Sequence, residues 1–371
     1  MANSDFMSII FSNVNDDMMM ELTKKRSMGS LPFGGRYRAI DFALSNLVNA
    51  GVRKVGIITK LNYHSLMDHL GAGRAWDLDR KQGGLVILPP YSIGYGMYAG
   101  NVDALMGVIT FLRHSIHKYV VLCDSDVIAN FDIEKMIDAH IAAQADVTVA
   151  YKHGKLPKNN RDLMVFNIGK NEKINDIQFL ETPGKTCDFS LDVMVFEREK
   201  LIELVETAST HNDTSLSINV FQKNLGKLKM QGYKVDEYVA VMDGVDSFFK
   251  ANMDLLDKTV RQDLFNPERP IYTKTRDDMP IKYGLSAVAS NSIIADGSLI
   301  EGTVENSIIF RGVHVAKNAV VKNCILMQDT VVSEGAHLDY IVTDKNVVVS
   351  KGRVLTGSEN YPMVISKGAT V

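Results

Sequence analysis

The sequence predicts an α/β domain with a mostly parallel sheet, followed by a solenoid of short β-coils. Two observations predict this division. The first 250 or so residues alternate apolar, β-branched runs with helix-period segments, which is the pattern of βαβ units. From Ser290 onward a five-residue phrase recurs at a nearly constant spacing, which is typical of stacked repeats.

In the first part, apolar runs predict the strands and a 3.6-residue period predicts the helices between them. The predicted strands are Met7–Phe11, Lys54–Thr59, Gly84–Leu88, Tyr119–Cys123 and Asp146–Ala150, and the predicted helices are Ile40–Ala50, Asp103–His114 and Ile133–Ala143. Ligands of such sheets bind beyond the carboxyl ends of the strands. The residues that follow each strand are therefore the first candidates for a functional site.

The recurring phrase occurs at Ser290–Ile294, Glu305–Ile309, Lys322–Leu326 and, more loosely, Leu338–Val342. A second series at similar spacing consists of Gly302, Asn318, Gly335, Gly352 and Gly368. These residue types tolerate a positive φ, so we expect them at the corners of the coils. Residues 263–280 contain Pro267 and Pro270 and are predicted to be a linker between a domain at 1–262 and the solenoid at 281–371.

Composition excludes several classes of protein. The 371 residues contain 41 Lys and Arg against 44 Asp and Glu, and this near balance argues against a nucleic-acid or membrane-surface protein. No apolar run is long enough to span a bilayer, and the acidic amino terminus is not a secretory signal. The three cysteines are too few and too scattered for a disulfide framework, so we expect a reducing cytoplasm.

Two phrases carry a family resemblance. They are LPFGGRYRAIDFALSN at Leu31–Asn46 and AWDLDR at Ala75–Arg80 followed by GGLVILPP at Gly83–Pro90. Together they are similar to the bacterial ADP-glucose pyrophosphorylase (glucose-1-phosphate adenylyltransferase) family. The resemblance continues at Gly100–Ala104, around Asp126 and at Ala251–Leu256, and it covers nearly the whole chain. It implies a Rossmann-like nucleotidyltransferase domain followed by a left-handed β-helix, and the synthesis of ADP-glucose and pyrophosphate from ATP and glucose 1-phosphate with Mg²⁺.

The loop after the first strand nevertheless lacks what a triphosphate requires. Glycine-rich loops let backbone N–H groups approach phosphates closely. Here the loop reads SNVNDDMMM at Ser12–Met20, with no glycine before Gly29, and Asp16 and Asp17 would repel a phosphate. The sequence therefore favours a chain that does not bind a triphosphate there, although an unusual binding mode stays open.

Other family positions are altered as well. By the resemblance, Met28 stands where a catalytic lysine is expected, Thr182 where a lysine holds the sugar phosphate, and Val241 at one of two metal-binding aspartates, with Asp243 displaced by two residues. Asp126 matches the other metal aspartate, but an aspartate after a strand is also a common helix cap or turn residue. Glu181 and Ser190 match positions near the sugar, and Asp192 replaces a family glycine. We expect no competent catalytic residue.

The segment from Lys24 to Lys54 has seven cationic residues and one acid, a local charge of +6. Relatives bind phosphorylated sugars or nucleotides as effectors with residues that match Lys25 and Arg38, so Lys25, Arg26, Arg36 and Arg38 are candidates for an effector anion site. The alternative is a solvated basic loop. The histidine pairs His64/His69 and His114/His117 lack neighbouring ligand residues, and we expect surface or capping roles for them.

The pattern resembles the non-catalytic or weakly catalytic partner subunits of this family. It implies a regulatory subunit that forms a mixed tetramer with a catalytic ADP-glucose pyrophosphorylase subunit and supports glycogen synthesis, with no firm cofactor of its own. The alternative is a chain that is active by itself. A hexapeptide-repeat acyltransferase would need a histidine base on the solenoid, and the isolated His314 and His337 make that class a poor fit.

Overall fold

The computed structural model describes residues 5–13, 16–60, 62–90, 98–159, 163–179 and 182–371. The helices are α1 (Ala39–Asn49), α2 (His64–Leu70), α3 (Asn101–Gly107), α4 (Ile109–Arg113), α5 (Ile133–Ala143), α6 (Arg198–Thr210), α7 (Val245–Asp254) and α8 (Lys258–Leu264). A π-helical segment covers Leu216–Gln222, and 3₁₀ turns cover Asp16–Leu22, Met28–Ser30, Arg74–Trp76 and Lys170–Glu172. No helix in these ranges is both long enough and apolar enough to cross a membrane.

The first part of the chain forms a nine-stranded mixed sheet with two small ribbons beside it. Its strands are β1 (Phe6–Phe11), β2 (Pro32–Phe33), β3 (Tyr37–Arg38), β4 (Lys54–Ile58), β5 (Gly84–Leu88), β6 (Tyr119–Asp124), β7 (Val127–Ala129), β8 (Val147–Lys155), β9 (Met164–Ile168), β10 (Ile174–Phe179), β11 (Thr186–Glu197), β12 (Met230–Lys234) and β13 (Val239–Val241). The main path is β10-β9-β11-β6-β1-β4-β5, while β8 pairs with β11 and β12. The strands β6, β1, β4 and β5 are parallel, whereas β11 runs antiparallel to β6, β8 and β9.

Both faces of the sheet are buried, which explains the continuous apolar runs in the sequence. Phe6 and Ile10 of β1 pack on the side of α1 and α5, and Met7 and Ile9 pack on the side of α3, α4 and α6. The predicted helix at 103–114 is two helices, because Val108 leaves the helical conformation (φ −115°, ψ 17°) directly after Gly107. Glycine is a poor helix former, and it sits at this break.

The last part of the chain is a parallel β-helix. Its strands are β14 (Lys282–Tyr283), β15 (Val288–Ser290), β16 (Ile293–Ile294), β17 (Leu299–Ile300), β18 (Thr303–Glu305), β19 (Ile308–Ile309), β20 (His314–Val315), β21 (Val320–Lys322), β22 (Ile325–Leu326), β23 (Val331–Val332), β24 (His337–Asp339), β25 (Ile341–Thr343), β26 (Val348–Val349), β27 (Val354–Thr356) and β28 (Met363–Ile365). They form three five-stranded, all-parallel sheets whose members recur every third strand. The predicted class, an α/β sheet domain followed by a parallel β-helix, is confirmed.

The corners of the coils differ in part from the prediction. Asn318, Gly335, Gly352 and Gly368 have positive φ, but Gly302 does not. Gly302 instead lies against the next coil, where an added Cβ would come within 2.4 Å of the Ala319 carbonyl oxygen. Close contact between coils, not a turn, requires glycine at that place.

The recurring phrase itself forms a second row of corners. Asn291, Asn306 and Asn323 have φ of 40°, 45° and 48°, and their side-chain amides form a ladder from Asn291 to Asn306 (2.7 Å) and on to Asn323 (3.4 Å). The ladder ends where the Asn323 amide donates to Asp339 at 2.8 Å. In strand register Asp339 is opposite Lys322, so the fourth phrase lies one residue away from its sequence alignment.

The β-helix packs against the sheet domain through a third apolar cluster, the junction core. It unites Met19, Leu22 and Met28 with Phe42 of α1 and with the inner strands of the β-helix at Ile308, Ile325 and Val342. Between the two parts, α8 ends at Leu264 and β14 begins at Lys282.

The intervening chain is held by polar side chains of the sheet domain. The Asn130 amide donates to the carbonyls of Leu264 and Arg269, both at 2.7 Å, and Ser45 Oγ accepts from Tyr272 N at 2.9 Å. The linker therefore has a fixed path over α1 and β7.

Candidate functional site

The loop after β1 is filled by its own side chains. Met19, Leu22 and Met28 are each at most 1% exposed and belong to the junction core. Val14 and Asn15 of this loop lie outside the described residues. The position at which the resemblance implies a catalytic lysine is thus a core methionine, which cannot reach a ligand in this arrangement.

The Asp16 side chain accepts hydrogen bonds from groups of the same loop. Its carboxylate accepts from Met28 N at 2.7 Å and from the Asn13 side-chain amide at 2.5 Å, and Gly29 N donates to the Ser12 carbonyl at 3.0 Å. Burial raises the pKa of Asp16 above its usual value. The backbone N–H groups of Met28 and Gly29 are therefore already bonded inside the protein.

A cleft of about 630 Å³, the sheet cleft, lies at the carboxyl ends of the strands. Asn13 follows β1, Lys60 follows β4, and Asp124 ends β6. Its far side is built by α3 and the π-helical segment, whose Leu216 N donates to Asn101 Oδ1 at 2.8 Å. Hydroxyl and amide groups dominate that side, namely those of Asn101, Thr214, Ser215, Ser217 and Asn219.

Two carboxylates, Asp124 and Asp192, face the sheet cleft. Burial and the nearby carboxylates of Asp192 and Asp126 raise the pKa of Asp124 well above its usual range. Asp192 has φ of 50°, which explains why a glycine is expected there. Ser190 is buried, and its Oγ donates a hydrogen bond to Asp192 Oδ1 at 2.8 Å. The Ser190 hydroxyl, which the family resemblance places near the sugar, is therefore already bonded within the protein.

The candidate metal residues do not converge. Asp126 is 3% exposed, does not line the sheet cleft, and accepts Met242 N at its backbone carbonyl (2.9 Å). Val241 pairs with Val127 across the β13–β7 ribbon. The Asp243 carboxylate accepts Asn159 N at 2.7 Å, so it fixes a loop instead.

Within the described ranges, no group of three or more His, Cys, Asp or Glu side chains could hold a metal ion. Mg²⁺ is bound through carboxylates together with substrate phosphates. Asp126 does not line the sheet cleft, a valine stands at position 241, and burial raises the pKa of Asp124, which disfavours its charged form; this set does not fit that ion.

Two further family positions near the sugar phosphate, Glu181 and Thr182, carry no positive charge. Thr182 is exposed, and Glu181 lies outside the described residues.

A second site lies at the junction of the two domains. A small cavity of about 40 Å³, the junction cavity, has six cationic side chains and no acidic one among the lining residues that the structure describes. They are Arg36, Arg38, Lys274, Arg276, Arg311 and Lys345. The first two come from the basic segment of the sequence analysis, the next two from the linker, and the last two from the β-helix.

The four candidate effector residues behave differently. Arg38 is buried, and its Nη1 donates to the Ser65 carbonyl at 2.7 Å and to Ser65 Oγ at 2.9 Å. Arg36 is exposed beside the Tyr37 ring, and Lys25 is exposed and is not among the lining residues of the junction cavity. Arg26 is 2% exposed, and its Nη2 donates to both carboxylate oxygens of Asp344 at 2.7 and 3.0 Å.

Arg26 Nη1 is buried and has no hydrogen-bond partner in the part of the chain that the structure describes. A buried, unsatisfied guanidinium nitrogen costs free energy. Arg26 does not itself line the junction cavity, but its charge helps to lower the pKa of Arg38 and of Lys345, which do.

The cations of the junction cavity repel one another. Burial lowers the pKa of Arg38 to about 10, and Asp41 partly opposes this effect. Burial and the charges of Arg38, Arg26 and Arg276 lower the pKa of Lys345 to about 7. A bound anion would relieve this repulsion, so the cavity has the electrostatics of an anion site.

Sequence reasoning missed most of this cluster. Lys274, Arg276, Arg311 and Lys345 are far from the basic segment in the chain, and only the packing of the β-helix brings them there. His69 was expected at the surface or as a cap, and this expectation is wrong. It is buried, its Nε2 lies 2.6 Å from Asp41 Oδ1, and it lines the junction cavity.

Comparisons with known proteins cover both domains. A nucleotidyl transferase family model matches residues 17–258, and a model of the GlmU-like C-terminal hexapeptide region matches residues 281–360. The chain is 32% identical to the glycogen biosynthesis protein GlgD of Bacillus subtilis, over 99% of this chain and 97% of that protein.

Two enzymes are similarly related. Identity is 30% to the glucose-1-phosphate adenylyltransferase of Clostridium perfringens, over 100% of this chain and 97% of the relative. Identity is 34% to the glucose-1-phosphate adenylyltransferase of Geobacillus stearothermophilus, over 82% of this chain and 80% of the relative.

Proposed function

The chain belongs to the glucose-1-phosphate adenylyltransferase family, with GlgD among its relatives, and from this premise we propose that it is a regulatory subunit with little or no activity alone. In this role it supports the reaction of ATP and glucose 1-phosphate to ADP-glucose and pyrophosphate in a catalytic partner subunit, for glycogen synthesis.

The observation that carries the proposal is the filled loop after β1. A nucleotidyl transfer requires cationic and N–H donors around a triphosphate. This loop instead buries Met19, Leu22 and Met28, and the Asp16 carboxylate takes the Met28 N–H. To admit a triphosphate the loop would have to leave the junction core, which would expose three large apolar side chains to water.

The Mg²⁺ chemistry of the family belongs, in this proposal, to the partner. This chain offers Val241 at one metal position and an Asp126 that does not line the sheet cleft. We assign no metal step to it.

We further propose a heterotetramer with the catalytic subunit and an anionic effector, a phosphorylated sugar or nucleotide, at the junction cavity. The support is the set of six cations with the unsatisfied Arg26 Nη1 beside them. Because these groups come from both domains, an anion bound there would tighten the contact between them.

The domain limits of 1–262 and 281–371 and a cytoplasmic location remain part of the proposal. The three cysteines, Cys123, Cys187 and Cys324, are free thiols, which suits a reducing compartment.

The activity test compares three samples: the purified chain, the catalytic subunit from the same genome, and the mixture. We expect ADP-glucose formation near background for the chain alone, and a changed rate or effector response for the mixture. Turnover of the chain alone near that of the catalytic subunit would falsify the proposal.

The effector test uses Arg38→Gln and Lys345→Met in the mixed enzyme, with Lys25→Gln as the exposed comparison. We expect the first two variants to lose activation by sugar phosphates, because both line the junction cavity, and Lys25→Gln to change it little. Unchanged activation in all three would exclude an effector role for this cluster.

A chain that is active by itself is the second candidate. The sheet cleft of about 630 Å³ favours it, since a cavity of this size can enclose a small ligand. The assay of the purified chain separates the two candidates.

A further inference from the structure

A groove of about 810 Å³, which we call the methionine groove, lies between three distant parts of the chain. Its walls are the loop at Asp17–Glu21, the start of α7 at Gly244–Asp246, and the final coil of the β-helix at Thr356–Val364. Ser366 Oγ donates to Glu21 Oε2 at 3.1 Å and so fastens the loop to the coil. It shares no lining residue with the sheet cleft or the junction cavity.

The groove exposes large apolar side chains. Met18, Met20, Tyr361 and Met363 are 38%, 65%, 78% and 41% exposed. Single exposed apolar residues are ordinary, but several in one concave surface mark an interaction site. Methionine adapts its shape to a partner, which makes it a common residue of binding surfaces.

The loop holds these side chains in place at an energetic cost. Met20 has φ 48° and ψ −113°, a conformation that costs a non-glycine residue about 1–3 kcal/mol. Thr23 Oγ1 holds the turn through the Asp16 carbonyl at 2.5 Å, and the buried Met19 anchors it from below. The exposed methionines are therefore presented on a fixed support.

The charge of the groove is negative. Asp17, Glu21 and Asp246 line it, and none of the lining residues that the structure describes is cationic. Lys24 pairs with Glu21 at 2.7 Å and Lys158 with Asp246 at 3.5 Å, but Asp17 has no hydrogen bond or ion pair within the described ranges. A complementary occupant therefore carries positive charge beside apolar side chains.

We propose that the methionine groove docks a segment of the catalytic subunit in which lysine or arginine flanks apolar side chains. This inference rests on the proposed function, because it names the same partner. The apolar side chains of that segment contact Met18, Met20 and Tyr361, and its cations lie against Asp17 and Asp246.

The test measures binding of the catalytic subunit to the full chain and to three variants by isothermal titration calorimetry at low and moderate salt. Met20→Glu places a carboxylate in the apolar part, and Asp17→Lys reverses the unpaired charge. Met67→Glu is the matched control, because Met67 is 42% exposed on α2 and is not a lining residue of the groove. Thermal melting of each variant verifies that it folds.

We expect Met20→Glu and Asp17→Lys to weaken binding by about tenfold or more, as removal of an interface hot spot does, and Met67→Glu to leave it unchanged. Asp17→Lys should also reduce the salt dependence of binding. If all variants bind equally, the groove inference is overturned while the mixed complex stands. If the wild-type chain does not bind the catalytic subunit, both proposals fail. If the variants change only self-association, seen as mass by light scattering, the occupant is a second copy and the inference is overturned.

Discussion

Replacement of Met28 by lysine restores the residue that the family resemblance implies, but we expect it to damage the fold and not to create activity. Met28 is fully buried in the junction core, and its N–H is bonded to Asp16. Burial of an ammonium group in an apolar core lowers its pKa by up to about 3–5 units.

The expected cost follows from that shift. A lysine whose pKa falls from about 10.4 to below 7 loses about 3 units, each worth about 1.4 kcal/mol, so Met28→Lys should lower the free energy of unfolding by about 4 kcal/mol at pH 7. The folded state then binds fewer protons than the unfolded state. The deficit should therefore shrink as the pH rises from 7 toward 10.

The assay is urea unfolding of Met28→Lys at pH 7 and pH 9.5, beside Met28→Leu as the volume-conserving control, for which we expect a loss below about 1.5 kcal/mol. ADP-glucose formation is measured on the same samples. A stability loss under about 1 kcal/mol, or a loss that does not change with pH, would refute the reasoning that this position is sealed in the core. Appearance of ADP-glucose synthesis would refute it as well.

Three further predictions concern the charged groups. Asp344→Ala leaves the buried Arg26 unpaired and should cost about 3–5 kcal/mol in urea unfolding, whereas Glu334→Ala, which removes an exposed partner of Lys351, should cost less than about 1 kcal/mol. Because the pKa of Lys345 is about 7, sulfate binding measured by calorimetry should strengthen up to about tenfold from pH 8 to pH 6, and Lys345→Met should abolish this change. Asp192→Gly fits φ of 50° without strain and removes a carboxylate that raises the pKa of Asp124. In the wild type the raised pKa of Asp124 makes the stability fall as the pH rises above about 4. In thermal melts at several pH values, the melting temperature of the variant should therefore fall less steeply with pH. An unchanged dependence on pH would contradict the coupling between Asp192 and Asp124.

The fold could be predicted where its signal is local. The run Phe6–Phe11 shows one strand by composition alone, and the recurring phrase shows the coils because each coil repeats the same burial pattern. The long strand Thr186–Glu197 is absent from the sequence prediction, although Asp188, Ser190 and Asp192 alternate with apolar residues along it, because the prediction relied on continuous apolar runs.

For the candidate site, the sequence indicated mainly which family residues are missing. The absence of glycine near Asp16 predicts a loop that differs from a phosphate cradle, but it does not reveal that Met28 is a core residue. The cluster around Lys345 could not be found, because its cations come from three separate segments and are joined only by packing between domains. Arg26 was placed correctly in a basic segment, yet its partner is 318 residues away.

The separation of Arg26 and Asp344 along the chain has a consequence for biosynthesis. Met19, Leu22 and Met28 leave the ribosome early, whereas the strands that cover them, through Val342, leave it almost last. From Leu264 at the end of α8 to Asp344, about 80 residues must still be added, which takes about 4–16 s at ordinary rates of synthesis. During that interval we expect the sheet domain to expose the apolar face that the β-helix later covers, and such surface is prone to aggregation. The Arg26–Asp344 ion pair can form only after this interval, so it joins an early and a late part of the chain across the junction of the two domains.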